Sequence, residues 1–160
     1  MPRSFPALSC TALLLSFWGC AVSPVAPGMD EMQVQARMGK PETVRKNSDG
    51  SQVWEYPLGP LGRQTYMIAL GSDHSVKNVS QVLNSGYFSQ VKAGMSRDDV
   101  RQILGKPGEI SMFSARDEEV WSWRYLQGNP MFFNVLFDRS AGTVRSTQSL
   151  EEILFMDDDN

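Results

Sequence analysis

Few residues of this chain have the types and spacing that catalysis requires. His74 is the only histidine among 160 residues, and it lies between Asp73 and Ser75. A hydrolytic triad places the imidazole between the carboxylate and the hydroxyl in space, which side chains adjacent in sequence rarely achieve. The pattern therefore favours a polar hairpin turn over a nucleophilic site.

Metal and phosphate sites find no better support in the sequence. Both cysteines, Cys10 and Cys20, lie near the N-terminus, so a metal site elsewhere would depend on carboxylates and one imidazole. Gly59 and Gly62 are surrounded by Pro and Leu and precede no predicted helix, unlike a phosphate-binding loop. The pair Glu118–Glu119 is interpreted as a solvated rim at the start of a strand. We therefore expect no enzyme activity, no cofactor and no metal ion.

Large aromatic side chains are the remaining candidates for a functional surface. Trp121, Trp123 and Tyr125 alternate with other residues, so a strand there would place all three on one face of a sheet. If helices cover that face, these residues form the core, whereas an open face would present residue types common in binding hot spots. The full set of partner-binding candidates is Trp54, Tyr56, Tyr87, Phe88, Trp121, Trp123, Tyr125 and Phe132.

Three of these candidates have more local alternatives. Tyr87 and Phe88 precede the cap of a predicted helix, where they would contact a partner or lipid headgroups, or pack under that helix. Phe132 lies on the opposite side of its strand from Phe133.

The chain has 15 basic and 18 acidic residues and no basic cluster interleaved with aromatics, so nucleic acid is not an expected partner.

The first 19 residues have the pattern of a secretory signal. Their apolar run, from Ala7 to Trp18, is too short to span a bilayer. The following Gly19–Cys20 resembles the end of a bacterial lipobox, so we expect Cys20 to become the lipidated first residue of the mature protein. An ordinary signal peptide cut nearby is the alternative. Residues 20–27 would form a tether, and Ala21 favours sorting to the outer membrane.

The stretch from Gly94 to Pro107 contains the signals of a complete short helix. Ser96 is a suitable N-cap, and Asp99 three positions later can complete a capping box. Gly105 and the proline that follows end the helix. These signals predict a helix over Arg97–Leu104.

The same helix pattern occurs 66 residues earlier, between Gly28 and Pro41, and predicts a helix over Glu31–Met38. Trp54-Glu55-Tyr56 in the first half then matches Trp123-Arg124-Tyr125 in the second. Self-similarity of this kind indicates a tandem repeat. We expect one repeat over residues 28–83, a second over 84–150, and a solvated acidic tail over 151–160.

Each predicted repeat continues as a series of strands after its helix. In the first repeat the strands are predicted at 42–46, 52–56, 64–70 and 75–82. In the second repeat they are predicted at 109–113, 119–126, 131–137 and 143–149. The fold class is therefore α+β, with two tandem helix-plus-antiparallel-meander units and helices packed on one face of the sheet.

The second predicted repeat contains Gly-Met-Ser-Arg-Asp-Asp-Val from Gly94, followed by Ile-Leu-Gly-Lys-Pro, Trp-Arg-Tyr, Val-Leu-Phe-Asp and Gly-Thr-Val. Together these motifs resemble the BamE family, also called SmpA/OmlA. The resemblance implies a small lipoprotein of the outer membrane that faces the periplasm and assists the machinery that folds β-barrel proteins. Two such units in tandem are also similar to the β-lactamase inhibitor protein.

The resemblance leads to two functional expectations. The first is a non-enzymatic, lipid-anchored protein that binds or scaffolds envelope proteins, among them the β-barrel assembly machinery. The alternative is an inhibitor-like protein that grips an enzyme across a sheet surface shared by both repeats.

Overall fold

The computed structural model describes residues 25–58 and 62–152. The predicted signal segment 1–19, the lipidation site Cys20 and residues 153–160 of the predicted acidic tail lie outside the described residues. Of the predicted tether, only the last three residues are described. Val25 is 2% exposed and packs in the core, so the chain is already docked against the fold at this point.

Two four-stranded antiparallel sheets make up most of the structure, and a few short helices accompany them. The helices are α1 (Glu31–Met38), α2 (Ser85–Phe88) and α3 (Arg97–Leu104), and a 3₁₀ turn covers Ser114–Arg116. The strands of the first sheet are β1 (Thr43–Lys46), β2 (Gln52–Pro57), β3 (Thr65–Leu70) and β4 (Val76–Gln81). Those of the second are β5 (Glu109–Phe113), β6 (Glu118–Gln127), β7 (Asn129–Asp138) and β8 (Thr143–Glu151). Each sheet is a meander in which strands adjacent in sequence pair with one another.

The N-terminal ends of α1 and α3 have the caps expected from the sequence. The Asp30 carboxylate accepts the Gln33 N–H at 2.8 Å, and the Gln33 side chain accepts the Asp30 N–H at 3.1 Å. Ser96 and Asp99 form the corresponding capping box at α3. These bonds satisfy N–H groups that a helix cannot pair internally. The predicted bounds of both helices are confirmed.

Each of these helices follows a short segment that joins the outer edge of a sheet. Gly28 N–H donates to the Val76 carbonyl, and Val76 N–H donates to the Met29 carbonyl, both at 2.8 Å. The second half contains the same exchange at the same distances, in which the participants are Gly94, Val144 and Met95. The chain is therefore attached to the last strand of each sheet immediately before it enters the helix.

Two clusters of buried side chains form the core. The smaller cluster joins Val34 of α1 to one face of the first sheet and contains Val25, Trp54, Tyr56, Ile68, Leu70 and Val76. The larger cluster joins α2 and α3 to one face of the second sheet, and it also includes Met67, Val82 and Leu83. Because the last three residues belong to the first half, the larger cluster is common to both halves.

The first sheet packs against a core cluster on each of its faces. Trp54 and Ile68 pack in the cluster that contains α1, whereas the adjacent residues Val53 and Met67 pack in the cluster that contains α3. The expectation of helices on one face only does not hold for this sheet. Strand β2 is nearly continuously buried, which is typical of a strand covered on both sides.

A buried carboxylate joins the back of the first sheet to the end of α3. Glu55 has no exposed surface, and its carboxylate accepts the Lys106 N–H at 2.6 Å. The Arg45 guanidinium lies 3.9 Å from the same carboxylate. A Cβ at Gly105 would lie only 2.8 Å from it, so the close approach requires glycine. The helix end is thereby fixed against β2.

The aromatic strand motif is shifted by two residues from the predicted match. Trp54 donates its indole N–H to the Gln52 side chain at 3.0 Å. Trp121 donates in the same way to Glu119 at 2.6 Å. Trp54 therefore corresponds to Trp121, and the predicted match with Trp123 is wrong. The sequence allowed both registers because tryptophan occurs at two alternate positions of β6.

Two further expectations about acidic residues are corrected by the structure. Glu118 and Glu119 are 8% and 7% exposed rather than solvated, because Arg145 and Arg97 pair with them. The last strand is predicted over 143–149, but β8 continues through Glu151.

Candidate protein-binding surface

Most of the aromatic candidates form the hydrophobic core rather than a surface. Six of them are less than a tenth exposed, and these are Trp54, Tyr56, Phe88, Trp121, Trp123 and Tyr125. Val34 of α1 and Val100 of α3 lie in the same clusters, so the helices cover the faces that carry these aromatics. The expectation that the six bind a partner is therefore corrected, since their burial stabilises the fold.

Tyr87 and Phe132 are the two candidates that remain half-buried. Tyr87 packs against the larger core cluster and lines a groove of about 300 Å³ between the back of the first sheet and α3. Phe132 lies on the side of the second sheet that faces away from α2 and α3. Of the eight candidates, Phe132 is therefore the one placed on a broad accessible surface.

The open face is the side of the second sheet opposite α2 and α3. Trp121, Trp123 and Phe133 point towards the helices, and strand residues alternate between the two sides. The side chains on the open face are therefore those of Val120, Ser122, Arg124, Leu126, Phe132, Asn134, Leu136, Ser146, Gln148 and Leu150, of which Asn134 is itself buried. Leu126 is 59% and Leu150 is 49% exposed, so substantial apolar surface faces solvent here.

One row of side chains crosses the open face near the end of β8. The strand register places Phe132 between Arg124 and Leu150. The Arg124 guanidinium lies 4.9 Å from the centre of the Phe132 ring, which is a cation–π contact. Arg124 Nε also donates to the Glu152 carboxylate at 2.9 Å, so the cation is held in place over the ring. Arginine and aromatic residues of this kind are enriched in binding hot spots.

Ion pairs border the open face at both ends. Glu152 pairs with Arg63 at 3.2 Å as well as with Arg124. Burial raises the pKa of Glu152, but the hydrogen bonds from the two guanidinium groups outweigh this effect, and the pKa lies below its ordinary value. At the other end Arg145 pairs at 3.4 Å with two carboxylates, those of Glu118 and Asp138. Apolar side chains bordered by charge are a common feature of protein interfaces.

The Glu119 carboxylate lies on the opposite, helix-covered side of the sheet and serves the fold. Arg97 donates to it from Nε at 3.1 Å and from Nη2 at 2.5 Å, and Trp121 donates its indole N–H at 2.6 Å. The Arg97 hydrogen bonds hold the pKa of Glu119 below its ordinary value. These bonds attach the first turn of α3 to β6.

His74 also belongs to a structural contact. Its Nδ1 lies 2.7 Å from the Glu31 carboxylate at the start of α1. The Asp73 carboxylate accepts bonds from Ser75 and Lys77 instead of the imidazole, so the three neighbours do not form a triad. Within residues 25–58 and 62–152, no three or more histidine, cysteine, aspartate or glutamate side chains are grouped so as to hold a metal ion.

A cavity of about 370 Å³ lies where the two halves meet. Its described lining includes Thr65, Leu83, Lys106 and Trp123. The Lys106 ammonium is already paired with the Glu42 carboxylate at 2.5 Å. Among the described lining residues, the charged side chains of Lys106 and Glu42 are therefore paired with each other.

None of the helices in the described part of the chain combines the length and apolarity needed to cross a bilayer.

Comparison with known proteins adds little to this geometry. No family model matches the sequence, and no curated protein matches it.

Three solved structures show weak similarity to the chain. A Streptococcus mutans protein, provisionally named a β-lactamase inhibitor protein, has a TM-score of 0.35 and 17% identity, over 77% of this chain and 83% of that one. An extracellular Bacillus anthracis protein with an SCP domain has a TM-score of 0.32 and 12% identity, over 88% and 50%. A DUF4309 family protein, YjgB of Bacillus subtilis, has a TM-score of 0.29 and 14% identity, over 77% and 78%. At TM-scores below 0.5, these similarities define neither the fold nor the function of the chain.

Proposed function

We propose that this protein is a non-enzymatic binding protein that docks onto a protein of the bacterial envelope through the open face. The observation that carries the proposal is the row of Arg124, Phe132 and Leu150, together with the exposed Leu126 beside it. Apolar side chains that are contiguous, exposed and bordered by charge are typical of protein-binding surfaces. The face combines these features with an arginine that is already held in position.

We further infer that the protein is anchored in the outer membrane and faces the periplasm. The support is the sequence, in which Gly19–Cys20 follows an apolar segment. Several acyl chains on Cys20 would give durable attachment, because each buried methylene contributes about 0.8 kcal/mol. Attachment would keep the open face close to membrane-bound partners.

A role in outer-membrane protein assembly is the specific form of this proposal. It rests on the resemblance of the helix signature from Gly94 to Pro107, and of the strand motifs after it, to the BamE family. On this proposal the β-barrel assembly machinery is the partner of the open face.

We also propose that the two halves are copies of one helix-plus-meander unit. The support is a set of local features that occur in both, namely the capping boxes, the glycines with φ of +77° after α1 and α3, and the backbone exchange at Val76 and Val144. The indole bonds of Trp54 and Trp121 are a fourth such feature.

The inhibitor-like alternative required one binding surface across both halves. The back of the first sheet is instead packed against α3 through Val53 and Met67, and the two sheets are separate. The described residues therefore present no single sheet surface that spans both halves. The geometry therefore favours docking through the second sheet, and assay of the purified protein against a β-lactamase distinguishes the two functions.

The binding proposal is tested by a double substitution on the open face, Leu126→Ser with Leu150→Ser. A matched control is Met32→Ser, because Met32 is 79% exposed on α1, away from the open face. Tagged proteins are crosslinked in membranes and recovered. We expect barrel-assembly components with the wild type and the control, and their loss with the double variant. Recovery of no such component with the wild type would reject the assembly role.

The anchoring proposal is tested separately with Cys20→Ser. The wild type should label with a radioactive fatty acid and fractionate with outer membranes. The variant should lose the label and leave the outer-membrane fraction. Unlabelled wild type would show that an ordinary signal peptide is cut nearby.

A further inference from the structure

Glu152, the last described residue, holds the chain at one corner of the open face. Its N–H donates to the Pro130 carbonyl at 2.9 Å, and its carboxylate accepts bonds from Arg124 and Arg63. The strand register pairs Pro130 with Leu126, so Glu152 lies in the same row of the second sheet as Leu126, which is 59% exposed. Because neighbouring strands are about 4.8 Å apart, the chain leaves β8 about 10 Å from Leu126.

The residues after this point are strongly apolar. The sequence continues with Ile153, Leu154, Phe155 and Met156 before a run of aspartates begins at Asp157. Consecutive apolar residues are unfavourable in water and call for a surface to cover, so these residues do not have the composition of a solvated tail. An extended chain advances about 3.3 Å per residue, so about three residues suffice to cross from β8 to β6. The apolar run is therefore long enough to reach the exposed leucine on β6.

The first sheet shows how the chain continues after the corresponding strand. Val82 follows β4 as Glu152 follows β8, and its N–H likewise donates to the preceding strand, at 2.9 Å. Val82 and Leu83 are only 1% and 4% exposed and pack in the larger cluster, which lies against the back of the first sheet. The helices that come next contribute Tyr87 and Ile103 to the same side. The back of the first sheet is therefore covered by the part of the chain that directly follows it.

The open face is the counterpart of that back. Trp54 of β2 and Trp121 of β6 make the same indole bond and both pack in a cluster with a helix, so the opposite sides of the two sheets correspond. On the second sheet, Leu126 and Leu150 remain exposed among the described residues. The part of the chain that directly follows this sheet contains the apolar run that begins at Ile153. The position of this run in the sequence thus matches that of the segment that covers the first sheet.

We infer that residues 153–156 pack over the open face, against Leu126 and Leu150, and that a binding partner must displace them. Attachment to Glu152 gives the run a high effective concentration at the face, so it competes with partners without a tight contact of its own. The apparent affinity for a partner is then scaled down by the fraction of molecules in which the face is uncovered. This inference rests on the proposed binding function and adds its regulation.

The first test is photocrosslinking of the purified mature protein, with no partner present. A photoreactive amino acid at position 126 should form an adduct with residues 153–156 of the same chain, identified by mass spectrometry after digestion. The yield should not change on about tenfold dilution, because the contact is within one chain. The same amino acid at position 32, on α1, should give no such adduct.

The second test removes the apolar run. The variant combines Ile153→Ser, Leu154→Ser, Phe155→Ser and Met156→Ser. Its matched control combines Asp157→Ser, Asp158→Ser and Asp159→Ser. The described core clusters contain no residue beyond Val144, so both variants should fold, which urea unfolding checks. In membranes, the apolar-run variant should raise crosslinking of position 126 to envelope protein by at least about threefold, as expected if the face is covered in about two thirds of wild-type molecules. The control should match the wild type.

Crosslinking outcomes distinguish the inference from the proposed function. Absence of the intrachain adduct, or an adduct that joins two chains and fades on dilution, would overturn the inference. So would equal crosslinking of envelope protein by the apolar-run variant and the wild type. Recovery of an envelope protein at position 126 without the intrachain adduct would overturn the inference alone. An intrachain adduct with no envelope protein recovered would support the cover over the open face and count against the proposed function.

Discussion

Gly105 has a role that its counterpart Gly39 does not share. Both residues follow a helix with φ of +77°. A Cβ at Gly39 would meet nothing within 4 Å, whereas at Gly105 it would lie 2.8 Å from Glu55 and 3.0 Å from Met67. Gly39 therefore ends α1 without close neighbours, whereas Gly105 ends α3 and also lies where the two halves pack together.

Gly105→Ala should destabilise the protein more than Gly39→Ala does. Both variants force alanine into a backbone region that only glycine adopts readily, at a cost of about 1–3 kcal/mol. Gly105→Ala also crowds a buried carboxylate, which adds about 1–3 kcal/mol. Urea unfolding measures the difference. Equal costs at the two positions would show that the contact with Glu55 is not tight.

Glu119→Gln should change how stability depends on pH. Arg97 lowers the pKa of Glu119 from its ordinary 4.5, so the stability from this pair is fully present above that value and is lost as the pH falls through the folded-state pKa. Glutamine keeps an acceptor for Trp121 but loses the charge. Near neutral pH the variant should be less stable by about 1–3 kcal/mol.

The measurement is urea unfolding of the wild type and Glu119→Gln at a series of pH values. We expect the stability gap to shrink in acid, because the wild-type carboxylate then becomes neutral as well. A gap that stays constant from neutral to strongly acidic pH would mean that the charge of Glu119 contributes nothing.

The helices α1 and α3 could be predicted to the residue because their signals are local. A cap such as Ser96 and a stop such as Gly105 act within one turn of the helix they define. The burial of the first sheet on both faces could not be predicted in the same way. It depends on α3, which lies far away in sequence, and a short strand such as β2 does not show from periodicity alone which of its faces are covered.

Val34→Ala and Val100→Ala should affect different parts of the fold. Both residues are fully buried, one on α1 and the other on α3. Each substitution should cost about 2 kcal/mol from the lost methyl groups and the cavity. Only Val100 lies in the cluster shared by both halves, which includes Met67 and Val82.

Amide hydrogen exchange measured strand by strand tests this difference. Val34→Ala should speed exchange mainly in β2 and β3. Val100→Ala should speed it in β6 and β7 and also in β3, through Met67. Confinement of the Val100→Ala effect to the second sheet would show that the halves are energetically independent.

The alternating pattern of β6 predicted that the aromatic residues share one face, and the structure places that face in the core. The same alternation implied that Arg124 and Leu126 lie on the opposite face. Leucine is less common than large aromatics in binding hot spots, so residue type alone indicates only Phe132 on the open face. The composition of the open face depends on how β7 and β8 pair with β6, and this pairing cannot be deduced from the sequence of one strand.

The most direct measurement is site-specific photocrosslinking in intact membranes. A photoreactive amino acid is placed at position 126, on the open face beside Phe132, or at position 32 on α1 as the control. We expect position 126 to give a discrete adduct with an envelope protein, identified by mass spectrometry, and position 32 to give none. The same adduct from both positions, or none from position 126, would contradict binding through the open face.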